Sequence, residues 1–299
     1  MSGKTIKLYL VDGTPSGMKT AEIMNWSGMV LVAPRAQLAK LGQRDEARRT
    51  GAYLLVGTDP NSRNRPKVYI GESDTVLARL MQHDKDAQNE FCTDLVLLIS
   101  KDNNLTKAHA RFLEHQLILL ANASGRATVA NGNVGSPVSL PESDLADMAN
   151  FLDHVQMILP VLGFDFTQPK VDVAGALMSG AGDSVSPLFT LSVAGASGRM
   201  RQIGSNFVLL KGSTGRKEGV KSWVSFKSLR DELVASGKLI PSAANPLFYE
   251  AAEDIELKSP SAAAAIVASR DTNGRQSWKL ESTGETYQTW FEKTFPTNM

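Results

Sequence analysis

The segment between residues 51 and 121 constrains the fold most, because short apolar runs alternate there with turn signals and helix caps. Residues 52–56 and 67–70 have the apolar character of strands, and the turn-rich segment between them predicts a β-hairpin with a long surface loop. A helix over 75–83, an apolar strand over 93–100 and a helix from Thr106 to residue 121 follow. The predicted order is strand, strand, helix, strand, helix.

The remaining sequence divides into regions of different composition. Residues 1–50 contain two strand-like runs and are predicted to form an extension that packs on a core spanning residues 51–163, either by adding strands to the edge of its sheet or by covering the substrate. Residues 164–186 are rich in Gly, Ser and Pro and have little periodicity, so they are interpreted as a linker. Residues 187–299 mix strand and helix patterns and predict a small second domain of mixed α/β character. The fold class expected for the chain is α+β.

Within the second domain, the local patterns predict individual elements. Residues 189–193 and 206–211 look like strands joined by a Gly/Ser turn. Ser259 is expected to cap a helix over 259–269 that has Pro260 in its first turn. The closing segment, residues 277–291, predicts a short pair of strands and a tail.

Bulk composition narrows the classes of protein that fit. Charged residues make up 21% of the 299 residues and the formal net charge is +1, so any nucleic-acid contact must come from a local basic patch. Cys92 is the single cysteine, which excludes an internal disulfide. The sequence has no signal-peptide pattern and no apolar run long enough to cross a bilayer. A cytoplasmic location without a membrane partner is therefore expected.

A set of polar residues occurs in a fixed order on the predicted core elements. The first strand begins with Gly-Ala-Tyr at 51–53, and the second ends with Tyr-Ile-Gly at 69–71. The next helix carries Arg79 and His83, which are four residues apart and therefore share one face. Glu114 lies in the later helix. In this order, the motifs closely resemble those of the GIY-YIG nuclease family.

The resemblance covers residues 51–133 and rests on the ordered set rather than on any one tripeptide. It implies a central three-stranded antiparallel sheet flanked by helices, and metal-dependent hydrolysis of phosphodiester bonds. The sequence departs from the family at Ala52, where isoleucine is usual. An apolar strand position accepts alanine, and Tyr53 keeps the functional side chain.

The resemblance also implies a role for each side chain. Tyr69 activates or orients the attacking water, with Tyr53 and His83 as hydrogen-bonding partners. Arg79 is permanently cationic and holds the scissile phosphate through two donors. Glu114 is the expected metal ligand, because Mg²⁺ or Mn²⁺ bound by one carboxylate keeps most of its water. The ion would act as a Lewis acid on the phosphate.

Two further sets of polar residues are candidates for the site. The family has an asparagine after the glutamate helix, and Asn122, Asn131 and Asn133 compete for that position. Asn131, within the Asn-Gly-Asn turn, is the preferred candidate. His109 and His115 are six residues apart and do not share a helix face well, so no zinc site is predicted there.

Local basic stretches predict where nucleic acid would bind. Cations gather over residues 35–67, around the first tyrosine, and again over residues 211–221. The segment 187–290 resembles a small C-terminal domain of unknown function that is often found behind GIY-YIG domains in bacterial proteins. The residues expected to contact the phosphate backbone are Arg63, Arg65, Lys67, Lys211, Arg216 and Lys217.

The sequence thus predicts a divalent-metal-dependent endonuclease that acts on DNA in preference to RNA, in a setting such as phage defence, restriction or DNA processing. Two alternatives stay open. One is a nucleic-acid-binding module of the same fold with little or no catalysis, and the other is a protein-interaction adaptor. An oligomer is compatible with the prediction, because a single site cuts one strand and a double-strand cut needs a dimer or two successive events.

Overall fold

The structure is a computed structural model that describes residues 3–62, 65–135, 137–169, 173 and 185–295. The chain forms two compact units, Met1–Lys170 and Val171–Met299. Among the described residues, no helix combines the length and the apolar character that a membrane span requires.

The first unit is built on one seven-stranded sheet. Its strand order is β1-β2-β3-β6-β4-β5-β7, and all neighbours are antiparallel except β5 and β7. The strands are β1 Ile6–Leu10, β2 Lys19–Ile23, β3 Gly28–Pro34, β4 Gly51–Thr58, β5 Pro66–Ser73, β6 Cys92–Ser100 and β7 Thr128–Val129.

The central strands are buried because helices cover both faces of this sheet. One face packs against the long helices α3 and α4, through residues such as Ile70, Leu117 and Val155. The other face packs against α1 and α2, through residues such as Leu55 and Leu80. The helices are α1 Leu38–Leu41, α2 Val76–His83, α3 Lys107–Ser124 and α4 Glu142–Val161.

The expected three-stranded antiparallel sheet is part of a larger one. Strands β6, β4 and β5 are adjacent and antiparallel, but the N-terminal residues add β1, β2 and β3 to one side. Strand β3 pairs with β6 from Gly28 to Pro34. The extension thus continues the sheet rather than only packing on it. Its second strand, β2, has no counterpart among the predicted strands, because the polar residues Lys19 and Glu22 hide its alternation.

The helix signals in the first unit agree with the structure. The Thr106 side chain accepts a hydrogen bond from the His109 backbone and begins α3, as its capping position predicts. Gly125, in the left-handed region with φ 60°, ends α3. The helix α2 follows β5 after a short connection, and it carries both Arg79 and His83.

The second unit contains two antiparallel sheets around its own core. The five-stranded sheet has the order β14-β10-β9-β8-β15, and the three-stranded sheet has the order β11-β13-β12. The strands are β8 Phe189–Val193, β9 Ala196–Ile203, β10 Asn206–Leu209, β11 Thr214–Arg216, β12 Leu239–Pro241, β13 Phe248–Ala251, β14 Ile255–Leu257 and β15 Lys279–Leu280. The helices are α5 Lys227–Ala235, α6 Pro260–Ala268, α7 Gly274–Ser277 and α8 Tyr287–Thr294.

The alanine-rich helix α6 forms the centre of this core. Ser259 caps it and Pro260 lies in its first turn, as predicted, and the small side chains allow strands to approach closely. Two expectations fail. Strand β9 lies where a turn is predicted between the two strands. Of the predicted closing strand pair, only β15 and its single antiparallel bridge to Thr286 form, and α8 takes the place of the tail. The aromatic residues of that segment favour strands locally, but they pack as one helix face against Phe189.

The predicted linker, residues 164–186, is only partly described. Phe166 is buried in the core of the first unit, and Ser186 bonds to Gln202 in the second. The ends of the range are therefore folded onto the units that they adjoin. Residues 170–172 and 174–184 lie outside the described residues.

Candidate active site

Two tyrosines from adjacent strands lie together on one face of the first sheet. Tyr53 on β4 is buried and Tyr69 on β5 is half-buried, with ring centroids 6.3 Å apart. Tyr53 is paired directly with Gly71. A Cβ atom at residue 71 would overlap the Tyr53 hydroxyl, so glycine there makes room for the phenol.

His83 at the end of α2 completes a cluster of three rings. Its Nε2 atom lies 2.8 Å from Tyr53 Oη, and its ring centroid lies 5.0 Å from that of Tyr69. On its other side, His83 Nδ1 lies 3.0 Å from Asn89 Nδ2. Burial, followed by the charge of Arg79, lowers the pKa of His83. The imidazole is therefore neutral near pH 7.

Arg79 lies one helical turn before His83 and is exposed. Its guanidinium interacts with the Tyr53 and Tyr69 hydroxyls, and the interaction with Tyr53 is the main cause that raises the pKa of Arg79. Burial in turn raises the pKa of Tyr53, which remains a neutral phenol. Arg79 also donates from Nη1 to Gln82 Oε1 at 2.9 Å. A fixed cation thus stands beside two phenols.

Glu114 on α3 is electrostatically coupled to this cluster. The pKa of Glu114 is raised, first by burial and then by the negative charge of Glu72, while Arg79 acts in the opposite direction. Glu72 follows Val68 and Ile70 on the α3-facing side of β5. Its Oε2 atom is buried and has no hydrogen-bond partner among the described residues. Glu114 and Glu72 are therefore close enough to interact electrostatically, and Arg79 partly offsets that interaction.

The side-chain amide of Asn131 binds the backbone of the strand that carries Tyr69, and it does not bind the rings of the cluster. Its Oδ1 accepts from Ile70 N at 3.0 Å, and its Nδ2 donates to Ile70 O at 2.7 Å. The side chain thus continues the ladder where β7 has ended. Asn131 holds the backbone between Tyr69 and Gly71 in place, whereas Asn122 and Asn133 are exposed.

The cations around the first tyrosine mostly bind the protein itself. Arg35 bonds to Asp84 and to Asn89 O, Arg49 donates to two backbone carbonyls, and Lys67 lies over the Phe91 ring at 4.7 Å. Lys40 pairs with Asp12, Arg44 with Glu46, and Arg48 with Gly42 O. Arg65 is half-buried, and Arg63 lies outside the described residues. A phosphate-guiding rim over residues 35–67 therefore has fewer available cations than the sequence indicates.

The other basic residues predicted to bind nucleic acid belong to the second unit. Lys211 is exposed, next to a tight turn at Gly212. Arg216 on β11 is half-buried, and Lys217 lies over the Tyr249 ring at 5.4 Å. The two lysines keep their ammonium groups close enough to the surface to contact a phosphate.

Comparison with known proteins gives one match. Residues 189–291 match a family model described as "Domain of unknown function (DUF4357)", which covers most of the second unit. No curated protein and no solved structure matches the chain.

Three polar residues at the site are absent from the set that the sequence predicts. Glu72 follows the Tyr-Ile-Gly tripeptide, and Asp86 and Asn89 lie in the polar segment after α2. Alternation along β5 assigns Glu72 to the face of Ile70, so its position was open to prediction. Asp86 and Asn89 carry no periodic signal, because the exposed Asp86 only caps a short 3-10 turn, Ala87–Asn89, and this turn brings Asn89 into the buried cluster.

Proposed function

We propose that the first unit is a divalent-metal-dependent nuclease that hydrolyses phosphodiester bonds, with DNA as the preferred substrate. The observation that carries the proposal is the cluster of Tyr53, Tyr69 and His83, with Arg79 one helical turn from His83 and electrostatically coupled to both tyrosines and to Glu114. These residue types occur in the same order as in the GIY-YIG family, and this agreement supports hydrolysis as the reaction. The family match with known proteins covers only the second unit, so it does not bear on the residues of this site.

The carboxylates fit a divalent ion. Glu114, whose pKa is raised by burial and by Glu72, and the buried Glu72 Oε2, which has no hydrogen-bond partner among the described residues, would both be stabilised by a bound cation. The described residues contain no group of three or more His, Cys, Asp and Glu able to hold a metal. Glu114 and Glu72 would therefore bind an ion that keeps several waters, as Mg²⁺ and Mn²⁺ do. When bound, the ion supplies Lewis-acid stabilisation of the phosphate and the leaving oxygen.

The protein groups have distinct tasks in this mechanism. Arg79 binds the scissile phosphate and stabilises charge that develops in the transition state. Tyr69, the more exposed tyrosine, acts as a phenolate that orients the attacking water and receives its proton, which restores the neutral phenol. Tyr53 is neutral and lies beside Tyr69, and a hydrogen bond with His83 holds Tyr53 in place. Asn131 keeps the Tyr69 strand in register.

The test is cleavage of single-stranded, duplex and branched DNA and of RNA, with and without Mg²⁺ or Mn²⁺. Glu114→Gln, Tyr69→Phe and Arg79→Lys should each reduce the rate about a hundredfold or more at unchanged fold. Asn133→Ala is the matched control, because this residue is exposed.

Three outcomes would overturn the proposal. Metal-dependent cutting that survives in all three variants would assign the activity to a different site or to a contaminant. Binding of nucleic acid by the wild-type protein without cutting would favour the binding-module alternative, and no binding at all would favour an adaptor.

Substrate binding by the second unit is a separate part of the proposal. Replacing Lys211, Arg216 and Lys217 by alanine should weaken duplex affinity. The slope of log affinity against log salt concentration should become shallower by about 0.9 for each phosphate that is no longer neutralised. Unchanged salt-dependent affinity would remove these residues from the interface. Lys293→Ala is the control, because this lysine already pairs with Glu285.

A further inference from the structure

A hydrogen-bonded chain runs behind Tyr53 and includes two residues that the proposed mechanism does not use. His83 Nε2 lies 2.8 Å from Tyr53 Oη, and His83 Nδ1 lies 3.0 Å from Asn89 Nδ2. Asn89 Nδ2 also lies 3.2 Å from Asp86 Oδ2. His83 and Asn89 are both buried, so protein atoms rather than bulk water determine the direction of each hydrogen bond.

Asp86 fixes the orientation of the Asn89 amide. An ionised carboxylate only accepts hydrogen bonds, so the amide atom that faces it must be the NH₂ group and not the carbonyl oxygen. The same NH₂ group faces His83 Nδ1. His83 Nδ1 is consequently the acceptor, and the proton of the neutral ring lies on Nε2.

The segment that carries these residues is anchored from both sides. Arg35 donates from Nη1 to Asn89 O at 2.7 Å and from Nη2 to Asp84 O at 3.0 Å. The other oxygen of Asp86 accepts from Gln88 N at 3.0 Å and begins the 3-10 turn. The amide of Asn89 is therefore presented to His83 by a fixed backbone.

The tautomer of His83 decides what Tyr53 does. An Nε2–H group donates to the Tyr53 oxygen, so the hydroxyl proton of Tyr53 must find a different acceptor. Arg79 has only donors, whereas the neighbouring Tyr69, whose ring centroid lies 6.3 Å from that of Tyr53, has an oxygen that accepts. We propose that Asp86 and Asn89 are positioning residues that hold His83 in the Nε2–H tautomer and thereby direct the Tyr53 hydroxyl proton to the Tyr69 oxygen.

The role assigned to this chain in catalysis rests on the proposed function. A hydroxyl donor pointed at Tyr69 stabilises negative charge on the oxygen that receives the proton of water. In the opposite tautomer, Tyr53 would donate to His83 Nε2 and Tyr69 would lose that donor. The tautomer itself is a property of the folded protein and can be measured whether or not the protein cuts nucleic acid.

The experiment is ¹⁵N NMR of the imidazole nitrogens in the full-length protein above about pH 7.5, one unit above the reference pKa of imidazole. The chain supplies its own references among its 4 histidines. His115 Nδ1 faces Val134 O and His154 Nδ1 faces Asn150 O, so both carry the proton on Nδ1. His109 accepts from Thr106 N at Nδ1 and carries the proton on Nε2. His83 should show the pattern of His109.

An exchange of the two side chains is the sharpest variant. In Asp86→Asn/Asn89→Asp, the net charge is unchanged and the amide at 86 can still accept from Gln88 N. The carboxylate at 89 then accepts from His83 Nδ1, so the ring should switch to the pattern of His115. Gln88→Ala, which alters an exposed side chain of the same turn, should leave His83 unchanged.

Each result decides the inference. An Nδ1–H pattern for His83 in the wild-type protein overturns it, as does an Nε2–H pattern that persists in the exchanged variant. If the tautomer switches and the cleavage rate falls at least about tenfold with little change in KM, both the tautomer and its catalytic role are supported. If the tautomer switches but the wild-type protein never cuts, the proposed function fails while the positioning by Asp86 and Asn89 stands.

Discussion

At the scale of single residues, the site contains carboxylates that lower the stability of the folded protein, and other residues hold them in place. Glu114 and Glu72 converge in a partly buried place, and burial raises the pKa of Glu114. Residues that serve catalysis often carry such a cost, because the charge is useful only when a ligand is bound. Stability should therefore increase when the charge is removed.

Glu114→Gln tests this trade-off. A carboxyl whose folded-state pKa is raised contributes stability below its unfolded pKa of about 4.3 and loses it as the pH rises through the folded value. The neutral glutamine avoids this loss, so without metal the variant should have the higher free energy of unfolding at about pH 7. The difference should vanish near pH 4. Denaturant unfolding at both pH values measures it, and a variant less stable than wild type at neutral pH would contradict it.

Added Mn²⁺ extends that test without any cleavage assay. Because an ion that binds only the folded state stabilises it by mass action, Mn²⁺ should raise the melting temperature of the wild-type protein more than that of Glu114→Gln. Equal shifts for the two proteins would place the ion elsewhere.

Gly71→Ala tests the close contact between the Tyr53 side chain and the backbone of β5 at residue 71. An alanine Cβ would overlap the Tyr53 hydroxyl, and that buried phenol must move away from His83 and Tyr69. We expect a cleavage rate lower by about a hundredfold, since misplacement by about 1 Å has that effect. Circular dichroism should show a retained fold. Gly132→Ala is the matched control, because open space surrounds that glycine, and it should cut like wild type.

At the scale of secondary-structure elements, hydrophobic periodicity predicts the strands and helices whose formation depends on local sequence. Strands β4, β5 and β6 and helices α2 and α3 follow directly from apolar spacing and caps. The residues on them that share a face, such as Arg79 and His83, could be paired in advance. Asp86 and Asn89 could not, because the position of Asn89 beside His83 depends on the 3-10 turn and on Arg35 contacts that form only in the folded chain.

Asn131, at the edge of β5, is a second residue whose role could not be predicted from local sequence, and its structural role can be tested. The sequence favours Asn131 for a catalytic position, whereas its amide bonds to both backbone groups of Ile70. Asn131→Ala leaves those groups without their partner, so the free energy of unfolding should fall by about 1–3 kcal/mol. The cleavage rate should also fall, because the backbone on either side of Ile70 carries Tyr69 and Gly71. Asn133→Ala should change neither quantity, and equal behaviour of the two variants would refute the structural role.

At the scale of the whole molecule, each unit has the means to fold by itself. The first unit has apolar clusters on both faces of its large sheet, and the second has a core centred on α6 and Trp278. Trp278 is fully buried, and its Nε1 donates to Pro260 O at 2.9 Å. The residues proposed for chemistry all belong to the first unit, so the chemical step should not require the second.

Trp278→Ala and Leu117→Ala form a reciprocal pair that tests this independence by calorimetry. Each replaces a fully buried side chain, and each should destabilise its own unit by about 3–5 kcal/mol, because less apolar surface is buried and a cavity remains. Trp278→Ala should lower one thermal transition and leave the other, together with cleavage of short DNA below both transitions, unchanged. Leu117→Ala should do the reverse. A single transition that moves with either variant would mean that the two cores unfold as one, and the second unit would then be part of the scaffold that holds Tyr53 and Tyr69 in place.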